Sequence, residues 1–441
     1  MRFRLCSMLA ALGLLVSCGG DEGGGVEPEN HPPTITMSFS KIGVVRSVPI
    51  TPSLVQLSVT VADPDNDPIS VTWSVTRGTI TPLNAANTLV QWNAPMTVGV
   101  DTVTVEADDG TTSRSVVTEI KVGTAFTGSS APARFEQSRS PYIVNVTGTT
   151  PVLAISGNAT VIEPGTELLL ETAGAVINVA DSLLAIGTPS APIVIRPNLR
   201  ALNCGDDRGW WEGIKVDSSD PPAHGYLEMD YVELTYGRFA VRLRDQGSAV
   251  IRNSIIRCSG QNGVLHEGGG VLLIEDTQIT DGELDGVVID SDTFAPDSIL
   301  VDGCIITFNG RTGIALDLMD TALEVPILIQ YSDIRFNAEH GITLANEVLA
   351  EIHFNSFFGN GAGSQSGLNS IWLFSGYPGG APVTQVDATC NFWGAPVSNQ
   401  SVIDAVVRDN LDTGTVGARV VTNPWSNENP LVLPGSTCVV P

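Results

Sequence analysis

One pattern constrains this chain more than any other. A phrase of about 25 residues recurs from Ile251 to Val264, Ile274 to Val287, Val301 to Ile314, Ile329 to Ile342 and Ile352 to Gln365. Aligned on Ile256, Ile279, Ile306, Ile334 and Phe357, the copies follow one another at intervals of 23, 27, 28 and 23 residues. A weaker copy precedes them around Val232. Positions five and two before the anchor, and the anchor itself, form three apolar or small-polar columns that stack inward, rung on rung, at about 4.8 Å. The middle column reads Ser254, Thr277, Cys304, Ser332, Asn355. Three residues after the anchor come Ser259, Gly282, Asn309, Asn337 and Asn360. These types tolerate left-handed backbone, so that position is expected to be the bend between strands. Four of the five copies carry glycine seven residues after the anchor, at Gly263, Gly286, Gly313 and Gly341. A helical repeat would need amphipathic runs at 3.6 spacing, and a leucine-rich repeat its L-x-x-L-x-L phrase; neither is present. The period predicts an all-β chain dominated by a parallel β-helix solenoid of about ten coils, on the order of 50 Å long, over 142–430. Residues 401–426 read as its terminal cap, and 431–441 as a tail.

Charge narrows the partners. With 22 basic and 48 acidic residues the formal charge is −26, which excludes a basic stripe for DNA or RNA. Residues 1–18 combine Arg2 and Arg4 with an apolar run from Leu5 to Val16, the pattern of an export signal. The phrase Leu15-Val16-Ser17-Cys18 resembles the lipobox of bacterial lipoproteins. That resemblance implies cleavage before Cys18, lipidation of its sulfur, and a membrane partner through the lipid. Residues 19–32, rich in Gly and acid, read as a flexible tether. The address expected is a bacterial cell envelope, outer membrane rather than inner because Gly19 follows the cysteine. Cys204, Cys258, Cys304, Cys390 and Cys438 then remain in an oxidising compartment, with pairing open and at least one thiol left over.

Residues 33–122 carry a different texture. Short alternating runs (Leu57 to Val61, Ile69 to Val75, Leu89 to Trp92, Thr102 to Ala107, Val116 to Val122) are punctuated by Pro, Gly, Asn and Asp, the signature of an antiparallel β-sandwich. Ala62 to Pro68, Trp73, Trp92 to Pro95 and Asp108-Asp109-Gly110 resemble bacterial immunoglobulin-like repeats of the PKD or cadherin-like kind, which implies a spacer or adhesion role. Asp63, Asp65 and Asp67 alternate, with Asp108 near in the strand order. They are a candidate calcium set, or a polar turn that satisfies its own backbone. Residues 123–141, small, polar and Pro-containing, read as the linker.

The solenoid also carries phrases such as Ile162 to Thr166, Pro192 to Ile195, Trp211 to Ile214 and Asn391 to Gly394. They resemble the right-handed parallel β-helix proteins of the pectate-lyase-like superfamily. That fold hosts lyases, hydrolases, epimerases and inert spikes, so activity must come from a site. Four positions after the aligned glycine stand Glu267, Asp290 and Asp317, with Arg244 on the preceding rung; Asp292 and Asp320 are close in sequence. Stacked carboxylates repel unless a cation or proton intervenes. The resemblance implies that such acids bind calcium while an arginine abstracts a proton, which would make Arg244, Glu267, Asp290 and Asp317 catalytic. The superfamily's hydrolase motifs are missing: Gly205-Asp206-Asp207-Arg208 has no His or Lys partner motif, and His340 belongs to the repeat. Trp210-Trp211 and Asn391-Phe392-Trp393 read as core. No Ser-His-Asp set, phosphate loop or dinucleotide fingerprint appears.

The reading that follows is a lipid-anchored surface or envelope protein. Its solenoid binds glycan or envelope material without catalysis; the alternatives are a calcium-dependent polysaccharide lyase or a structural adhesive spike. A binding module predicts exposed aromatics along one sheet, yet the outward positions assignable from the repeat are mostly aliphatic, Thr or Arg.

Overall fold

The computed structural model describes residues 29–146, 148, 151–217, 224–291, 296–318, 327–345, 350–361, 369–374, 385–394, 400–409, 419–423, 425–426 and 431. The export signal, Cys18, most of the tether and tail, Asp292, Asp320 and Cys438 lie outside them. Among the described residues no helix is long and apolar enough to cross a membrane.

The repeat folds as a solenoid with three parallel sheets. Each coil runs through a first face (Val264–Gly268, for example), a second face (Val271–Glu275) and a short third face (Gln278–Thr280). Among the described residues the first face has ten strands and the second eleven. Alternation decides what is inside. On the first face Ile214, Val241, Val264, Val287, Ile314, Ile342 and Ile371 stack with no exposure. On the second Ile251, Ile274, Val301, Ile329 and Ile352 do the same, and on the third the five anchors. The aligned glycines are required by close approach. A Cβ on Gly286 would sit 2.6 Å from the carbonyl oxygen of Gly313, and one on Gly313 2.7 Å from that of Gly341.

The bends fall one residue away from where the sequence pattern places them. Left-handed backbone occurs two residues after the anchor, at Cys258, Asp281, Phe308, Phe336 and Gly359. It occurs again three before it, at Asn253, Asp276, Gly303, Tyr331 and Phe354, with φ between 45° and 66° throughout. The residues expected at the bend, Ser259, Asn309, Asn337 and Asn360, are instead buried just past it. A bend turns the next backbone N–H away from the parallel ladder, and a buried N–H must find another acceptor. The side chain one coil further along supplies it: Gly282 N–H donates to Asn309 Oδ1 (3.2 Å), Asn309 to Asn337 (3.1 Å) and Asn337 to Asn360 (3.1 Å). The column two before the anchor repeats the device at the other bend. Ser254 N–H donates to Thr277 Oγ1, Cys304 N–H to Ser332 Oγ, Ser332 N–H to Asn355 Oδ1 and Asn355 N–H to Asn391 Oδ1. Cys304 is a free thiol in this column, and burial pushes it up to about 12. Its sulfur is therefore protonated packing.

The N-terminal region is a pair of sheets, Thr34–Ser38, Leu54–Ala62, Leu89–Asn93 and Thr79–Pro82 on one side, and Ser70–Val75, Gly99–Asp108, Ser113–Phe126 and Gly43–Val45 on the other. They close over Val44, Leu57, Val90, Trp92, Val103, Ile120 and Val122. The segment expected as a linker is not one. Strand Ser113–Phe126 runs through residue 123 and pairs in parallel with Tyr142–Val144, so the sandwich sheet and the third face are one sheet. Arg134–Phe135 starts the second face, and Ser130 bridges to Ala154 on the first. Small polar residues suited this segment to tight solenoid corners rather than to flexibility. Two of the three lysines lie across the junction, Lys41 on Glu171 (2.5 Å) and Lys121 on Glu167. Asn198 Oδ1 accepts the backbone N–H groups of Ile42 and Gly43.

Candidate functional site

The outward side of the first face collects most of the unusual chemistry. One outward row reads Lys215, Arg242, Leu265, Val288, Ala315, Thr343, Trp372, Arg408 across eight successive rungs. Two residues further along each strand a second row carries Arg244 beside Glu267, and Asp290 beside Asp317. The repeat alignment therefore placed Arg244, Glu267, Asp290 and Asp317 correctly on consecutive strands of one face.

Their local partners differ from a free acidic ladder. Arg242 grips Glu267 with two hydrogen bonds, Nε to Oε2 at 2.5 Å and Nη2 to Oε1 at 2.9 Å, while Arg244 Nε stands 3.8 Å from Oε2. Bidentate geometry makes the first contact the strong one. Lys215 donates to Asp217 Oδ2 at 2.5 Å. Asp217 is hydrogen-bonded to Asp245, which has left-handed backbone at φ 54°. Burial raises Asp217, but its bonds from Lys215 and Asp245 outweigh this and hold it below the usual carboxylate range. The same hydrogen bond, followed by burial, lifts Asp245. The two carboxyls are therefore a coupled pair pushed in opposite directions, Asp217 down and Asp245 up. Nearby, Arg238 and Arg242 lie over the Phe239 ring at 5.3 and 4.8 Å. At the far end, Arg408 lies 5.5 Å over the indole of Trp372, and His340 meets that ring edge-on at 4.4 Å. The face thus joins a carboxyl pair flanked by cations to a tryptophan roughly 25 Å further along, five rungs at strand spacing.

Sequence reasoning missed Lys215, Asp217, Asp245 and Trp372. The repeat is legible no earlier than the weak copy around Val232, so the strand Gly213–Val216 before it has no register in the sequence. Extending the alignment one coil upstream puts Asp217 ahead of Arg244.

The candidate calcium set behaves differently. Asp63 Oδ1 accepts the backbone N–H groups of Asp65 and Asp67 (2.8 and 3.0 Å), Asp65 takes the N–H and ring nitrogen of His31, and Asp108 Oδ1 accepts from Gly110. These carboxylates satisfy turns. Among the described residues no group of three His, Cys, Asp or Glu side chains is placed to hold a metal.

Aromatics are exposed where the repeat suggested none. On the third face and its corners Phe308, Phe336, Phe358 and Tyr331 are 57%, 37%, 50% and 43% exposed. Three of them, Phe308, Tyr331 and Phe336, sit at left-handed corners, positions to which the repeat pattern gave no outward role. Cys204 pairs with Cys258, and Cys390 is also disulfide-bonded. Trp211 is fully buried, as expected, and Trp393 stacks on Phe357 at 5.2 Å.

Residues 213–376 match the sequence family described as the right handed beta helix region. No curated protein matches the chain. Among solved structures the chain is similar to the periplasmic alginate epimerase AlgG, at 14% identity and a TM-score of 0.26, and to a point mutant of it, at 13% and 0.28. Each alignment covers 65% of this chain and 77% of that one. The matched stretch of the parallel solenoid thus carries the sequence pattern of a right-handed β-helix.

Proposed function

We propose that this is an exported, lipid-anchored protein of the bacterial cell envelope, attached through Cys18 and carrying an Ig-like spacer. Its β-helix binds an acidic glycan along the first face without cleaving it. One observation carries the reading: in a chain with 22 basic residues against 48 acidic ones, Lys215, Arg242 and Arg244 converge on two adjacent outward rows at one end of that face, with Trp372 and Arg408 at the other. Cations suit uronate carboxylates, and an indole suits a sugar ring. A second reading, a carbohydrate-active enzyme of the lyase type, is favoured by Asp217 and Asp245, neighbouring carboxyls shifted in opposite directions beside Lys215, since perturbed carboxyl pairs gather at active sites.

The two readings separate in one experiment on residues 29–441. A cut near residue 140 would strip the first strand of the third face from its partner. The protein is titrated with pectate, alginate and a neutral glycan, while ultraviolet absorbance follows unsaturated uronate products with calcium and with chelator. Saturable binding to an acidic glycan, weakened about tenfold in Arg242→Gln and by added salt, with no product, supports the binding module. Calcium-dependent product that vanishes in Arg244→Ala and Asp290→Ala makes it a lyase. Absence of both binding and product with all acidic glycans sinks both.

A further inference from the structure

The third face offers a surface that the glycan reading does not use. In its N-terminal coils the corner two residues after the anchor is sealed by the chain itself. The segment before Trp211 is stapled there by Cys204–Cys258, Tyr236 Oη donates to the carbonyl of Leu202 (3.1 Å), and Arg208 Nε donates to that of Asp281 (2.9 Å). Tyr236 and Cys258 are buried beneath it. The cover ends at Asp281. From the next rung onward the same corner carries Phe308 and Phe336 in the open, beside Ile305 and Phe358 on the face and Tyr331 and Phe354 at the opposite corner. With aromatic side chains of about 150–250 Å² each, roughly half exposed, this strip presents on the order of 500 Å² of apolar surface, the size that marks an interaction site.

The geometry selects the occupant. Phe308 stacks on Phe336 (5.4 Å, 12° between planes) and Tyr331 on Phe354 (5.1 Å, 5°). Their faces are spent on one another along the solenoid axis, so a sugar, which stacks on a free ring face, is poorly served. What remains is a row of ring edges repeating at the rung spacing, and another row of the same pitch matches it over its length. Charge points the same way. Two copies carrying −26 each can meet only where the surface is locally neutral. Arg335, between the two aromatic rows, is closed by Asp333 at 3.0 Å and lies over the Phe336 ring at 5.7 Å.

We propose that the chain forms a two-fold symmetric homodimer, side by side, through the strip of Ile305, Phe308, Tyr331, Phe336, Phe354 and Phe358, leaving both first faces open. About 500 Å² of apolar surface per partner, plus its rim, approaches the roughly 800 Å² per partner of a standard interface, so association in the micromolar range is expected. Sedimentation velocity on residues 29–441, from about 1 to 100 µM, tests it. A concentration-dependent monomer–dimer equilibrium is expected, strengthened by salt that screens the mutual repulsion. Phe336→Ser with Phe358→Ser should raise the dissociation constant at least tenfold with an unchanged circular dichroism spectrum. Val117→Ser, an equally exposed apolar site (60%) on the sandwich, should leave it unchanged. If the double variant fails to fold, Phe308→Lys at the rim must give the same weakening. A monomer throughout the range, or a dimer indifferent to these substitutions, overturns the proposal.

Discussion

The N-terminal and C-terminal coils of the solenoid solve the same corner in opposite ways. Around residues 236–281 the third-face corner is held from outside, by the segment ending at Trp211 and a disulfide across 54 residues. Around residues 308–360 it is held from inside, by the ladder of Asn309, Asn337 and Asn360, whose amides donate to the carbonyls of Ile279, Ile306 and Ile334. Where the ladder is missing, at Ser259 and Gly282, the cover is present. Where the ladder is complete, no cover is needed and aromatics stand exposed. A parallel coil requires only that the backbone groups at its bends be satisfied; it is indifferent to which side supplies the partner. The surface freed in the second half is then available for association.

Three perturbations test how independent the two halves are. The largest effect is expected from Cys204→Ala with Cys258→Ala. Opening that loop should cost about 4 kcal/mol of unfolding free energy. Because a solenoid couples mainly to its nearest rungs, hydrogen exchange should quicken across residues 235–258 and stay slow across 306–360. Uniform loss of protection would show that the halves are one cooperative unit.

Acid comes next. His266 points into the core between Leu243 and Ile289, with both ring nitrogens unpartnered and no exposure; its counterparts in later coils are Leu316 and Leu344. Burial drops it to about 4. The unfolded chain therefore takes up a proton that the folded one refuses. Its contribution is intact above about pH 6.5 and falls away as pH drops toward 4, by about 3 kcal/mol in all. Burial lowers His340 in the same direction, so the comparison is with His266→Leu. The stability difference between that variant and the parent should widen across this window in denaturant titrations. A constant difference would mean that His266 finds a partner when protonated.

The smallest effect is expected from Asn337→Ala, which leaves the Asn309 N–H and the Ile306 carbonyl without their partner. About 2 kcal/mol is expected, with exchange quickened in residues 306–360 alone. An effect near zero would shift the burden to the aromatic stacks outside.

Legibility followed periodicity. The anchors, the inward columns and Gly263, Gly286, Gly313 and Gly341 were all readable, because a stacked solenoid imposes the same volume and the same close approach on every coil. Arg244, Glu267, Asp290 and Asp317 were readable as a row for that reason. That Arg242, rather than Arg244, closes on Glu267 was not: outward positions obey no packing rule, and two long arginines within reach of one carboxylate are separated only by side-chain geometry. The left-handed corners slipped by one residue. The pattern records which types recur but not whether asparagine is there for its own backbone or for the N–H of the coil below.

By itself, then, the sequence determined a stack of parallel coils with a defined inside, since burial and backbone satisfaction repeat with the chain. Tertiary structure alone decided that the supposed linker is the first coil and that Asp217 and Asp245 stand side by side. It also decided that the segment before Trp211 covers one half of the third face and leaves the other bare. Each of these joins residues without a common period, and only the folded chain brings such residues within hydrogen-bonding distance.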